Sequence, residues 1–144
     1  MRYSKVNKFV YLIRLEKGEE VIDSITKFCE KLNISNASFI GLGSVENPVL
    51  AHYNVNIKKY SEKELKGIFE LTNITGNVAV FEKKPLVHSH VTLSNEKMQA
   101  WGGHLVKGAV SATVEVILQV LDAACEKKQD DAIGLKLWDL PQEF

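Results

Sequence analysis

PLVHSHVTLSNEKMQAWGGHLV, residues 85–106, reads as a β-hairpin, and that reading sets the fold. In its first arm Val87, Val91 and Leu93 share one face, and His88, His90 and Thr92 share the other, as side chains of a strand alternate. The apolar face is the core face, so the histidines project away from the core. A polar loop, SNEKMQ, follows, and AWGGHLV returns. A turn centred near Lys97 places His90 directly opposite His104, with Cβ atoms about 4.5–5.5 Å apart, and leaves His88 as the diagonal neighbour at about 7–8 Å. A slip of one residue would turn His104 to the opposite face.

Three imidazoles converging on one patch suit a zinc-like divalent ion. Zinc–nitrogen bonds are about 2.0–2.1 Å, and three protein ligands leave a fourth position for water or substrate. Gly102 and Gly103 carry no side chain, so backbone or ligand can approach beside the site. The competing reading is three solvent-facing histidines with no ion. The fourth histidine, His52, stands alone in VLAHYNV and is read as structural.

Downstream of the hairpin, AVSATVEVILQVL (109–121) alternates. Val110, Ala112, Val114, Val116, Leu118 and Val120 take one face, and Ser111, Thr113, Glu115 and Gln119 share the other. Ile117 and Leu121 add apolar groups to the polar side, which suggests burial on both faces. Upstream, ASFIGLGSV and VLAHYNVNI read as strands, and GIFELTNITGNVAVF reads as two strands around Asn73 to Asn77. SEKELK and EKKQDD read as polar breaks, and IGLKLWDL as a final strand. Before these, Val21, Ile22, Ile25, Phe28, Cys29 and Leu32 recur at helical spacing between Glu19 and Leu32. Acidic residues open that helix, Lys31 closes it and Asn33 stops it, as the helix dipole favours. The pattern is a single α+β domain: one early amphipathic helix, then a mainly antiparallel β-sheet.

The chain has 144 residues, enough for one domain with its own core. Its 45% apolar and 25% charged residues are those of an ordinary soluble protein. Eighteen basic residues balance eighteen acidic ones. That balance argues against a chain that lives on phosphate contacts, and it gives little electrostatic protection against association. Cys29 and Cys125 form no disulfide framework or zinc knuckle. Cys29 falls on the apolar side of the helix and is expected to be buried. The apolar run Phe9 to Ile13 ends at Arg14, too short for a signal-peptide core or a membrane span, so the expected location is cytoplasmic and no membrane is expected as a partner. No nucleophile motif, phosphate loop or dinucleotide fingerprint is present.

The stretch GIFELTNITGNVAVFEKKPLVHSHVTLSNEKMQAWGGHLVKGAVSATVEVIL resembles the plants-and-prokaryotes-conserved (PPC) domain family. The family pattern is met by Gly67, Phe69, Glu70, Gly76, Asn77, His88, His90, Gly102, Gly103, His104, Leu105 and Glu115, and GLGSV also fits. The resemblance runs from about residue 3 to residue 121. Residues 1–125 are therefore taken as a PPC-like domain and 126–144 as a C-terminal extension of the same domain. The resemblance implies a mainly antiparallel α/β fold, a homotrimer and zinc held by His88, His90 and His104. Plant relatives bind DNA through attached AT-hooks. This chain has no Arg-Gly-Arg-Pro hook and no basic patch, which argues against carrying DNA binding over. The fold is also similar to that of acetolactate decarboxylase, whose zinc sits on three histidines, an analogy of fold and ligand type only.

Two functions are expected. One is a metal-binding homotrimeric domain with a regulatory or DNA-associated role. The other is a metal-dependent enzyme acting on a small organic acid, with a small-molecule ligand at the metal. Such an enzyme needs an acid–base residue, and Glu70 and Glu115 are the candidates because both are charges within strands. The plainer reading pairs Glu115 at a subunit interface and turns Glu70 to water.

Overall fold

The computed structural model describes residues 1–123 and 125–141. Among them nine strands and one helix follow in order: β1 (Arg2–Lys5), β2 (Val10–Glu16), α1 (Val21–Leu32), β3 (Ala37–Asn54), β4 (Lys59–Glu64), β5 (Ile68–Phe81), β6 (Lys84–Ser94), β7 (Ala100–Val120), β8 (Lys127–Asp130) and β9 (Leu135–Trp138). Seven form one sheet in the order β1-β2-β7-β6-β5-β3-β4, and β7 also pairs with β3. All these pairings are antiparallel. Strands β3, β5, β6 and β7 thus close a ring. The core fills its inner face with Phe39, Leu71, Ile74, Val91, Leu93, Val110, Val114 and Leu118.

Helix α1 starts where its cap allows. The carboxylate of Glu20 accepts a hydrogen bond from the Asp23 amide at 2.6 Å and another from the Gly108 amide at 2.9 Å. One side chain thereby caps the helix and ties it to β7. Asn33 ends it in the left-handed conformation, φ 53°. Val21, Ile25, Phe28 and Cys29 are buried, while Ile22 and Leu32 flank them. Tyr3 and Tyr11 meet Phe28 edge-on at 5.1 and 5.3 Å. Each large apolar side chain buried there stabilises the fold by about 1.5–3 kcal/mol. Cys29 is buried, and burial pushes its thiol up to about 12.

Several elements differ from the sequence reading. GIFELTNITGNVAVF is one strand, β5, with an irregularity between Leu71 and Asn73. Asn73, Thr75 and Asn77 are the outward positions of a strand whose inward positions are Ile74 and Val78, not a turn between two strands. ASFIGLGSV and the first six residues of VLAHYNVNI join as β3, which shifts register at Gly41–Gly43 and turns through a positive φ of 47° at Asn47. Gly43 is required there: a Cβ would lie 2.1 Å from the Thr113 carbonyl oxygen. Opposite it, β7 gains residues between Val110 and Val114, so Ala112, expected on the core face, is exposed. Ser61–Glu64 of SEKELK belong to the exposed edge strand β4, whose charges suit an unpaired edge, while Leu65 is buried just past its end. EKKQDD contains β8, and β1 had no apolar pattern to announce it.

Strands β8 and β9 form a separate hairpin. It is fastened to the main sheet at both sides. The Tyr53 hydroxyl donates to the Ile133 carbonyl at 2.8 Å, and Lys58 donates to the Asp131 carbonyl at 2.7 Å. Lys136 lies 4.1 Å over the Phe81 ring. No helix among the described residues is long and apolar enough to cross a membrane.

Candidate metal centre

The hairpin register is the one the loop implied. His90 pairs with His104, Val91 with Gly103 and Thr92 with Gly102. Residues directly opposite in a ladder share a face, and here the pairings extend into one row around the outside of the ring. Leu12 faces Ile117, Ile117 faces Ile40, Ile40 faces Thr75, and Thr75 faces His90. His104 then faces Ala51, and Ala51 faces Glu62. His88 sits beside this row, paired with Asn77. Val91 and Leu93 are buried on the opposite face, as expected, together with Ser89, whose hydroxyl has no partner among the described residues.

The three imidazoles form a near-equilateral cluster. Ring centroids are 5.2 Å apart for His88–His90, 5.2 Å for His88–His104 and 5.6 Å for His90–His104. One nitrogen from each lies within 4.8 Å of the others. Around a tetrahedral zinc-like ion such nitrogens stand about 3.3 Å apart, so small ring rotations suffice. His104 Nδ1 is buried with no hydrogen-bond partner among the described residues, a cost that a bound ion would remove. Burial, then the charge of Lys127, then His104 and His90 lower the His88 pKa to about 4. Burial, then His90 and Lys127, lower that of His104, while Glu62 opposes them. Neutral imidazole is the form that ligates, so the residues fit a divalent ion.

The cluster lines a cavity of about 930 Å³. Its other walls were not foreseen. Tyr60, on β4, lies 5.5 Å from the His104 ring and 4.8 Å from Tyr53. Burial and the neighbouring Tyr53 raise the Tyr60 pKa, so the hydroxyl keeps its proton. Asn77 contributes a buried carboxamide oxygen with no partner among the described residues. Lys127 and Trp138 come from the β8–β9 hairpin. His52 is exposed and only flanks the cavity. Of these, Asn77 alone is among the residues that meet the family pattern. Lys127 was hidden in a charged run with no period.

Glu70 and Glu115 do not line this cavity. Glu70 is exposed on β5 between Ser44 and Ser94. Glu115 is exposed between Arg14 and Leu42, eleven residues along β7 from His104, about 35 Å of strand.

The Plants and Prokaryotes Conserved (PCC) domain matches residues 3–122. A plant- and prokaryote-conserved protein of Pyrococcus horikoshii is 35% identical, covers 99% of this chain and 97% of its own, and superposes with a TM-score of 0.87. A metal-containing protein from Archaeoglobus fulgidus is 32% identical over 94% of this chain and 99% of its own, with a TM-score of 0.83. A candidate DNA-binding protein from Ralstonia eutropha is 28% identical over 96% of both chains, with a TM-score of 0.88. No curated protein matches the chain. The match along most of the chain, on the fold that carries these three histidines, makes this chain a member of the Plants and Prokaryotes Conserved domain family.

Proposed function

We propose that this chain is the subunit of a homotrimer that binds one zinc-like divalent ion at His88, His90 and His104 and takes a small ligand at the open coordination position. The observation that carries the reading is the convergence of three ligand nitrogens within 4.8 Å at the wall of a cavity. When bound, the ion would act as a Lewis acid toward a ligand oxygen. The protein orients that ligand and restricts water through Tyr60, Asn77 and the overlying hairpin. The metal-containing relative from Archaeoglobus fulgidus supports the same reading. Metal analysis of purified wild type against His104→Ala, after chelation and zinc re-addition, tests it. Stoichiometric metal in wild type and its loss in the variant are expected; equal content would exclude these residues as the site.

The trimer is supported by an apolar outer patch. Leu12, Ile117 and Ile40 face one another across β2, β7 and β3 and are 48%, 48% and 54% exposed, with Leu42 beside them at 60%. Isolated chains rarely leave such a cluster wet. Ile40 stands two strands from His90 in the same row, about 10 Å, so a neighbouring subunit on this patch would border the metal site.

A metal-dependent enzyme acting on a small organic acid is the second reading. Tyr60 favours it, as a protonated hydroxyl beside His104. On that reading Tyr60 takes the acid–base role in preference to Glu70 and Glu115. A regulatory role with DNA association draws only on candidate DNA-binding relatives. The balanced charge limits it to weak, salt-sensitive contact, with Kd about 10⁻⁴–10⁻⁶ M at physiological salt. Tight sequence-selective binding in fluorescence anisotropy would reverse that.

A further inference from the structure

We propose that Lys127 is the anion-binding residue of the histidine cavity, and that the cavity takes a small organic carboxylate whose charged end Lys127 holds. The inference deepens the metal-site reading and in its second half rests on it.

Lys127 is 7% exposed, an unusual state for a lysine. Among the described residues its ammonium makes no hydrogen bond and no ion pair. The other hairpin lysine of β8, Lys128, is bonded to Asp139 at 2.6 Å. Burial strips much of the water from this side chain and lowers its pKa, and a poorly hydrated charge is costly to keep.

Its position gives the reason. Lys127 starts β8 opposite Trp138, in the hairpin that lies beyond the family match. It lines the cavity, and its charge reaches His88 and His104. Among the described residues the cavity lining also includes Lys136 and holds no Asp or Glu. The Glu62 carboxylate felt by His104 stands on the exposed edge strand and makes no ion pair with Lys127. The three imidazoles contribute no negative charge, and a divalent ion would add two positive ones. The cavity then lacks an anion, and none of the described residues supplies it.

The rest of the lining sets the class. Trp138, paired with Lys127, and Leu86 and Val87 on the same cavity offer apolar surface. A volume of about 930 Å³ accommodates an acid with an apolar or aromatic body. The site therefore suits an organic carboxylate better than a bare inorganic ion.

The test uses the full chain loaded with zinc. Benzoate, its neutral analogue benzamide and inorganic phosphate are titrated by calorimetry against wild type and Lys127→Met. Benzoate should bind and benzamide should not. The variant should keep its zinc, bind benzoate about 10- to 100-fold more weakly, as loss of a charge-assisted hydrogen bond implies, and melt no lower than wild type. Lys127→Arg should keep benzoate binding within a few-fold, which guards against a misfolded methionine variant. Equal benzoate affinity in wild type and Lys127→Met would overturn the proposal, as would preference for phosphate or a lower melting temperature in the variant. If wild type holds no zinc, the metal reading fails on its own. The chelated protein should then still bind benzoate, weakly, in a manner that Lys127→Met abolishes.

Discussion

His90 on β6 faces His104 on β7 directly across the hairpin, with ring centroids 5.6 Å apart. Everything at the cavity depends on that pairing, because one residue of slip would send one of the two rings into the core.

The register makes Gly76 critical. A Cβ there would meet Phe39 Cζ at 2.3 Å and the His88 carbonyl oxygen at 2.7 Å. Gly76→Ala should therefore destabilise the fold by about 1–3 kcal/mol, as overpacking does, and weaken zinc retention by displacing His88. Chemical denaturation and metal analysis check both effects. A fully stable variant with displaced zinc would separate the two effects.

In metal-free protein, His88 should titrate near pH 4, below its ordinary value of 6.5. The folded chain then holds fewer protons than the unfolded one between those values. Stability accordingly falls as pH drops from about 6.5 toward 4 and is fully present above that window. Proton NMR of the imidazoles and melting curves against pH measure this. Titration of His88 near 6.5 would contradict the burial and the Lys127 charge assigned to it.

The outer apolar patch predicts the state of assembly. Light scattering of wild type should give a mass about three times the 16.1 kDa chain. Ile117→Lys, which places a charge at the centre of the Leu12–Ile117–Ile40 row, should shift that mass toward 16.1 kDa without unfolding the chain. A monomeric wild type would reject the trimer.

The two cysteines should separate cleanly. Cys29 is buried with its thiol pushed up to about 12, so a thiol reagent should modify Cys125 in native protein and Cys29 only after unfolding. Cys29→Ser places a hydroxyl with no partner in that core and should cost about 1–3 kcal/mol. Equal modification rates in the native state would refute the packing described for α1.

The sequence alone was enough for the helix face of Val21, Ile25, Phe28 and Cys29, for the antiparallel hairpin and for the His88–His90–His104 cluster. Each is written in a local period or across a loop of six residues, SNEKMQ, where few alternatives compete. It was not enough for the closed ring, in which β7 pairs with β3 as well as β6, because Ala51 meets His104 across fifty-three positions with no local signal. Nor did it reveal Lys127. Residues 126–131 are charged and aperiodic, and a run of that kind reads as solvated. Only the docking of the β8–β9 hairpin, through Tyr53, Lys58 and Phe81, turns one of its lysines away from water and over the histidines. Local periodicity decides which face of an element is apolar; burial of a charge is decided by which distant element covers it.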